Sequence, residues 1–187
     1  PRSLAECGYT PLRDMVRAAL ANAGAVRIDH ILGMFRLWWI PEGCVATEGT
    51  YVYYDHEAMM GIILLEAQRA GAVVIGEDLG VVEPWVRDYL RDRGVLGTSV
   101  VWFEKEGGGW PLRPEHYRDR ALAAVNIHDL PPTLGYIRGI QTTLRSELGL
   151  LTDDIETVRA ADRLELDQVA ARLHEYGCID GAEPSER

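Results

Sequence analysis

The chain has 187 residues, 47% of them apolar and 26% charged, with a formal net charge of -10. That size and composition describe one packed domain. The charge argues against a nucleic-acid backbone or an anionic membrane as partner, since both recruit clustered cations. Lys105 is the only lysine, so a lysine Schiff base has a single candidate.

In chain order, Thr10 is expected to cap a helix that has Pro11 at its first position. Leu12, Met15, Val16, Ala19, Leu20 and Ala23 recur at helical spacing, and Gly24 ends the pattern. A short apolar run, 25–28, terminates in Asp29. The aromatic-rich stretch 32–41 reads as a long loop or strand extension. Asp55 is placed to cap a second helix, which runs through Met59, Ile62, Ile63 and Leu65 to Gly71. A strand over 72–76 ends in Glu77. Glu83-Pro84 opens a third helix that stops at Gly94, and 97–103, rich in Val and aromatics, reads as a third strand. Residues 104–114 hold three consecutive glycines and form a loop. A fourth strand, 121–127, ends at His128-Asp129. After Thr133 the pattern is helical, with Asp153 and Glu156 resembling a capping box. The polar residues 183–187 are expected to fray.

Cys7, Cys44 and Cys178 are odd in number and widely spaced. They suggest neither a disulfide framework nor a zinc site and read as incidental thiols in a reducing, cytoplasmic setting. No segment has the pattern of a signal peptide or a membrane span. The first residue is proline, which points to a processed chain or one cut from a longer protein.

Strands separated by helices imply βαβ units and a parallel sheet. A doubly wound sheet and a (β/α)8 barrel both fit. The barrel is favoured because three of four strands end in an acid, where such barrels carry their catalytic groups. No Gly-rich phosphate loop follows the first strand, as a doubly wound nucleotide binder would usually show. A full barrel needs about 250 residues. The chain is therefore read as a partial TIM barrel, its middle to C-terminal segment. Residues 1–187 form a single partial catalytic domain, with a helical, barrel-associated segment over 140–187.

Asp29, Glu77 and Asp129 each follow a β-branched run. If the strands share one parallel sheet, the acids converge on one mouth. Glycoside cleavage uses two such carboxyls, one donating a proton and the other attacking or activating water. Arg27 lies two residues before Asp29, on the same side of the strand. Each acid alone reads more simply as a cap or turn residue. His128 alone reads as a structural histidine, and Trp38 and Trp39 are as readily core as sugar platforms.

Four pieces taken together carry a resemblance: Arg27-Ile28-Asp29-His30, Trp38-Trp39-Ile40-Pro41, Gly76-Glu77-Asp78-Leu79-Gly80 and His128-Asp129. In this order, over about residues 10–140, they resemble the 4-α-glucanotransferases of glycoside hydrolase family 77. These are also called amylomaltases or disproportionating enzymes, and are relatives of the α-amylases. The resemblance implies Asp29 as nucleophile, Glu77 as general acid/base and Asp129 as stabiliser of the transition state. It implies Arg27 as the partner of the nucleophile, and His30 and His128 as sugar ligands, with Asp78 a weaker candidate on the acceptor side. Trp38 joins them as a substrate-binding candidate. The implied reaction moves an α-1,4-glucan segment between maltooligosaccharides or glucose by retaining double displacement, with no metal and no organic cofactor. Departures from the family pattern are Ile31-Leu32-Gly33 after the nucleophile motif and Leu130-Pro131-Pro132-Thr133 after His-Asp. The earlier barrel strands and the final strand are not identifiable.

Three rival readings stand beside it. An α-glucan hydrolase would use the same carboxylates with water as acceptor. An enolase-type lyase or racemase would need a Lys or His base. Consecutive acids about 50 residues apart also exceed a minimal barrel repeat. An inactive half-barrel fragment would expose edge strands and tend to self-associate.

Overall fold

A computed structural model describes residues 1–180. A short helix α1 (Arg2–Glu6) precedes α2 (Thr10–Leu20), which buries Leu12, Val16 and Leu20 on one face. Thr10 is not the cap that the sequence suggested. Its hydroxyl donates to the Cys7 carbonyl at 2.9 Å, and Tyr9, at φ 55°, turns the chain into the helix. Then follow β1 (Ala25–Ile28), a 3-10 turn (Ile31–Met34), β2 (Arg36–Trp39), β3 (Thr50–Tyr53) and α3 (His56–Ala70). Asp55 caps α3 as expected, accepting from Ala58 N–H at 3.0 Å, and Gly71 closes it with φ 64°. β4 (Val73–Gly76), α4 (Pro84–Asp92), β5 (Gly97–Val100) and β6 (Ala121–Ala124) come next. The chain continues through α5 (Thr133–Ile137), α6 (Ile140–Glu147) and α7 (Ile155–Glu175). The cap of α7 is Asp154, not Asp153: its carboxylate accepts from Thr157 N–H at 3.0 Å. The expected frayed tail, 183–187, lies outside the described residues.

The aromatic stretch after Asp29 is the clearest departure from expectation. It is neither loop nor strand extension: β2 folds back on β3 as an antiparallel hairpin, in register from Arg36↔Tyr53 to Trp39↔Thr50. The parallel sheet begins with β1 and β4, paired from Ala25↔Val73 to Ile28↔Gly76. A further parallel bridge, Ile75↔Leu96, joins β4 to the residue that leads into β5. β1, α3, β4, α4 and β5 thus form consecutive βαβ steps, with the hairpin inserted in the first. Among the described residues this is an open run of parallel strands and not a closed barrel.

The chain packs as two compact units. One comprises Pro1–Thr98 with Arg120–Leu122, the other Ser99–Asp119 with the described residues from Ala123 onward. The first unit is held by one apolar cluster: Leu12, Val16 and Leu20 of α2 meet Met60 and Ile63 of α3, with Val74 and Leu90. Burying side chains of this size stabilises by about 1.5–3 kcal/mol each. In the second unit Trp102 stacks on Tyr136 at 4.4 Å, and Arg172 ties Glu106 (2.6 Å) to the Pro111 carbonyl (3.2 Å). Lys105 pairs with Glu165 at 2.8 Å. No helix among the described residues is long and apolar enough to cross a membrane. The three cysteines are exposed and unbridged.

One charged group sits at the α2–α3 contact. Glu66 is 5% exposed and accepts from Arg17 at 2.6 and 3.0 Å and from Arg69 at 2.9 Å. The Arg17 hydrogen bonds, ahead of the charges of Arg17 and Arg69, hold its carboxyl below the ordinary glutamate range. A folded value below the unfolded one gives stabilisation that is complete above the unfolded pKa of about 4.3. It is lost as pH falls through the lowered value. Thermal melts of Glu66→Gln and its parent are therefore expected to differ most near neutral pH and to converge on acidification. A gap that stays constant from pH 7 to pH 3 contradicts this account.

Candidate functional site

Parallel pairing fixes where two of the acids go. Ile28 and Gly76 are partners at the C-terminal ends of β1 and β4, so Asp29 and Glu77 leave the sheet side by side. Three main-chain and side-chain bonds join the two departing chains. Glu77 N–H donates to the Ile28 carbonyl at 2.9 Å, and Ile31 N–H donates to the Glu77 carbonyl at 3.0 Å. His30 N–H donates to Glu77 Oε2 at 2.9 Å. The other oxygen, Oε1, accepts from Leu79 N–H at 2.6 Å. The Glu77 carboxylate is thus 8% exposed and aimed by two backbone amides.

His30 makes this possible through an uncommon backbone. Its φ is 45°, the left-handed region that costs a non-glycine residue about 1–3 kcal/mol. The chain turns sharply enough there for consecutive amides, His30 and Ile31, to face Glu77. Ile31, fully buried, pins the turn. Gly76 allows that packing, because a Cβ on it would meet Ile31 Cδ1 at 2.5 Å and Ile31 Cβ at 3.1 Å.

Arg27 Nη1 stands 3.0 Å from Asp29 Oδ1, as alternation along the strand suggested. Its Nη2 is buried with no hydrogen-bond partner among the described residues. Asp29 itself is half-exposed. Asp78, the weaker acceptor-side candidate, follows Glu77 directly. It is 3% exposed, its Oδ1 accepts from Thr98 N–H at 3.0 Å, and Arg87 Nε lies 3.8 Å from its Oδ2. This carboxylate braces β4 against β5.

His128 and Asp129 belong to the second unit. Both are exposed, and His128 Nε2 lies 3.4 Å from Asp129 Oδ1. Asn126 shapes their loop by donating to the Pro131 carbonyl at 2.6 Å and accepting from Ile127 N–H at 2.8 Å. Lys105, the base that an enolase-type reading would need, is occupied by Glu165. Among the described residues no group of three or more His, Cys, Asp or Glu is placed to hold a metal ion.

Beside His30 lies a cavity of about 450 Å³, between the hairpin and residues 81–86. Trp38 lines it, as do Arg36, Tyr51, Tyr53 and Trp85, which sequence reasoning passed over. The signal was present: Arg-x-Trp and Tyr-x-Tyr each place two side chains on one face of a strand.

A family model described as 4-alpha-glucanotransferase matches residues 1–183. The chain is 56% identical over 189 residues to a 4-alpha-glucanotransferase of Mycobacterium tuberculosis, covering 98% of this chain and 26% of that protein. A 4-alpha-glucanotransferase of Haemophilus influenzae is 36% identical over 155 residues, covering 83% of this chain and 22% of that protein. Among solved structures, amylomaltase from Corynebacterium glutamicum superposes with a TM-score of 0.90 at 44% identity, covering 98% of this chain and 27% of that one. The chain therefore spans about a quarter of the length of the relatives it matches.

The Gly76–Ile31 contact generates a test. Gly76→Ala is expected to destabilise by about 1–3 kcal/mol through overpacking. Combining it with Ile31→Ala, which opens the space, should cost less than the sum of the two single changes. Denaturant melts of the four proteins measure this, and strict additivity counts against the contact.

Proposed function

The chain belongs to the 4-alpha-glucanotransferase family, and on that premise we propose that it supplies the reacting carboxylates of a retaining α-glucan transferase. It is then one segment of a (β/α)8 catalytic domain. The observation that carries the reading is the shared end of β1 and β4, where Asp29 stands beside Arg27 and Glu77 is aimed by the His30 and Leu79 amides.

In the first half-reaction Asp29 attacks the anomeric carbon of an α-1,4-glucan. Glu77 gives its proton to the departing glycosidic oxygen, and the leaving chain carries a new 4-hydroxyl. In the second, the Glu77 carboxylate takes the proton from the 4-hydroxyl of an acceptor glucan or glucose. That oxygen displaces Asp29 and restores the α configuration. Arg27 positions the nucleophile, and its Nη2, without a hydrogen-bond partner among the described residues, is offered to a substrate oxygen. Asp129 is assigned to binding sugar hydroxyls as positive charge develops at the anomeric carbon. His30 and His128 are assigned to the sugar of the cleaved linkage, and Trp38 to stacking. Asp78 is reassigned from acceptor contact to holding β4 against β5. The substrate is a maltooligosaccharide or longer α-1,4-glucan, and the exposed unbridged thiols suit a reducing, cytoplasmic setting.

Asp29→Asn, Glu77→Gln and Asp129→Asn in the full-length protein are each expected to lower transfer between maltooligosaccharides by about a thousandfold or more. With an α-glucosyl fluoride donor, whose departure needs no proton, Glu77→Gln should accumulate a glucosyl adduct on the peptide holding Asp29. Mass mapping to any other residue, or full turnover by Asp29→Asn, refutes the assignment. Glucose release that outpaces chain transfer would identify a hydrolase instead.

A further inference from the structure

The cavity beside His30 has a composition that selects a ligand. One wall is the hairpin. Register opposes Arg36 to Tyr53 and Trp38 to Tyr51, and alternate residues of a strand share a face, so these four side chains stand together. The facing wall is built by Val81, Val82, Glu83 and Trp85, from the segment that follows Glu77 and leads into α4. His30 lines the same space, which makes it continuous with the Asp29 turn.

The aromatic rings are exposed yet held. Trp38 is 45% exposed, Tyr51 47% and Trp85 46%. Rings whose role is packing are mostly covered, and a cluster of uncovered ones marks a contact surface. Trp38 is nonetheless fixed in place. Its indole N–H donates to the Ala46 carbonyl at 3.0 Å, and Tyr51 meets its ring edge-on at 5.0 Å. Gly49 lies so close that a Cβ there would meet Trp38 Nε1 at 2.3 Å. A flat apolar surface held in one orientation loses little freedom when it is covered.

The charges of the cavity cancel. Arg36 Nη1 lies 2.8 Å from Glu83 Oε1, and the Trp85 indole N–H donates to the same carboxylate. The Arg36 guanidinium also lies 4.3 Å above the Tyr51 ring. A cation and a carboxylate already paired to each other favour a neutral ligand over an ionic one. A pyranose matches both features, with C–H faces for the rings and hydroxyls for the polar atoms between them. The volume accommodates a short run of such sugars, within the range of about 300–1,000 Å³ typical of small-molecule sites.

We propose that this cavity is a binding subsite for α-1,4-linked glucan, with Trp38 its stacking platform, holding glucosyl units away from the linkage being cleaved. It rests on the glucanotransferase reading and adds chain-length selection to it. The experiment compares Trp38→Ala, Tyr51→Ala and Trp38→Phe with the parent in the full-length protein, using maltotriose and maltoheptaose as donors. Binding of maltoheptaose is measured separately by titration in a Glu77→Gln background. The expected result is that KM for maltoheptaose rises about tenfold more than KM for maltotriose in both alanine variants. Maltoheptaose binding should weaken by a similar factor, and Trp38→Phe should recover most of it. Equal effects on both donors, or unchanged maltoheptaose binding, overturn the proposal. If Trp38→Ala melts below the assay temperature, Tyr51→Ala, at the ring that meets Trp38 across the hairpin, supplies the same comparison. Asp29→Asn run in parallel separates the two ideas. An inactive Asp29→Asn beside unaffected Trp38 variants sinks only the subsite, whereas an active Asp29→Asn sinks the glucanotransferase reading itself.

Discussion

A single hydrogen bond organises the C-terminal ends of β1 and β4: the His30 amide donating to the Glu77 carboxylate. It is short-range in space but joins residues 47 positions apart in sequence. Parallel pairing of β1 with β4 brings the two chains to the same edge, but pairing alone leaves side chains there free to rotate. The left-handed turn at His30 converts a strand end into a pair of inward-facing amides. The strain is offset by the hydrogen bonds that His30 and Ile31 donate to Glu77, and by the complete burial of Ile31. The absence of a side chain on Gly76 is the steric condition for all of this. The aim of the Glu77 carboxylate thus depends on a packing detail one residue before it.

Much of this was legible in the residues. Acids that end β-branched runs marked Asp29 and Glu77 because a parallel strand is buried on both faces and shows its first polar residue where it leaves the sheet. Asp55 and Gly71 bracketed α3 because capping and left-handed closure are local requirements. Where two neighbouring residues could serve, the sequence was silent. Asp153 and Asp154 have the same chemistry, and only the point at which the backbone turns helical decides between them. Thr10 lost its expected role to Tyr9 for the same reason. The hairpin stayed hidden because β2 and β3 are separated by ten residues without a tight-turn dipeptide, and Tyr-Val-Tyr-Tyr does not alternate in polarity. The positive φ of His30 has no sequence signature at all, since it is imposed by what lies beneath it.

Asp78 shows how a motif can bundle two functions. In Glu-Asp-Leu-Gly the first acid faces the reacting end of the sheet and the second turns inward to the Thr98 amide. Glu77 is held by the His30 and Leu79 amides and Asp78 by the Thr98 amide, so the two carboxylates part just beyond the end of β4.

The hairpin invites a last consequence. Among the described residues β2 and β3 pair only with each other, and neither shares a ladder bond with β1 or β4. Substitutions at Arg36, Trp38, Tyr51 or Tyr53 therefore leave every hydrogen bond that aims Glu77 untouched. Such an arrangement is evolvable: descendants of one ancestor can diversify the face of the hairpin while inheriting the two carboxylates unchanged.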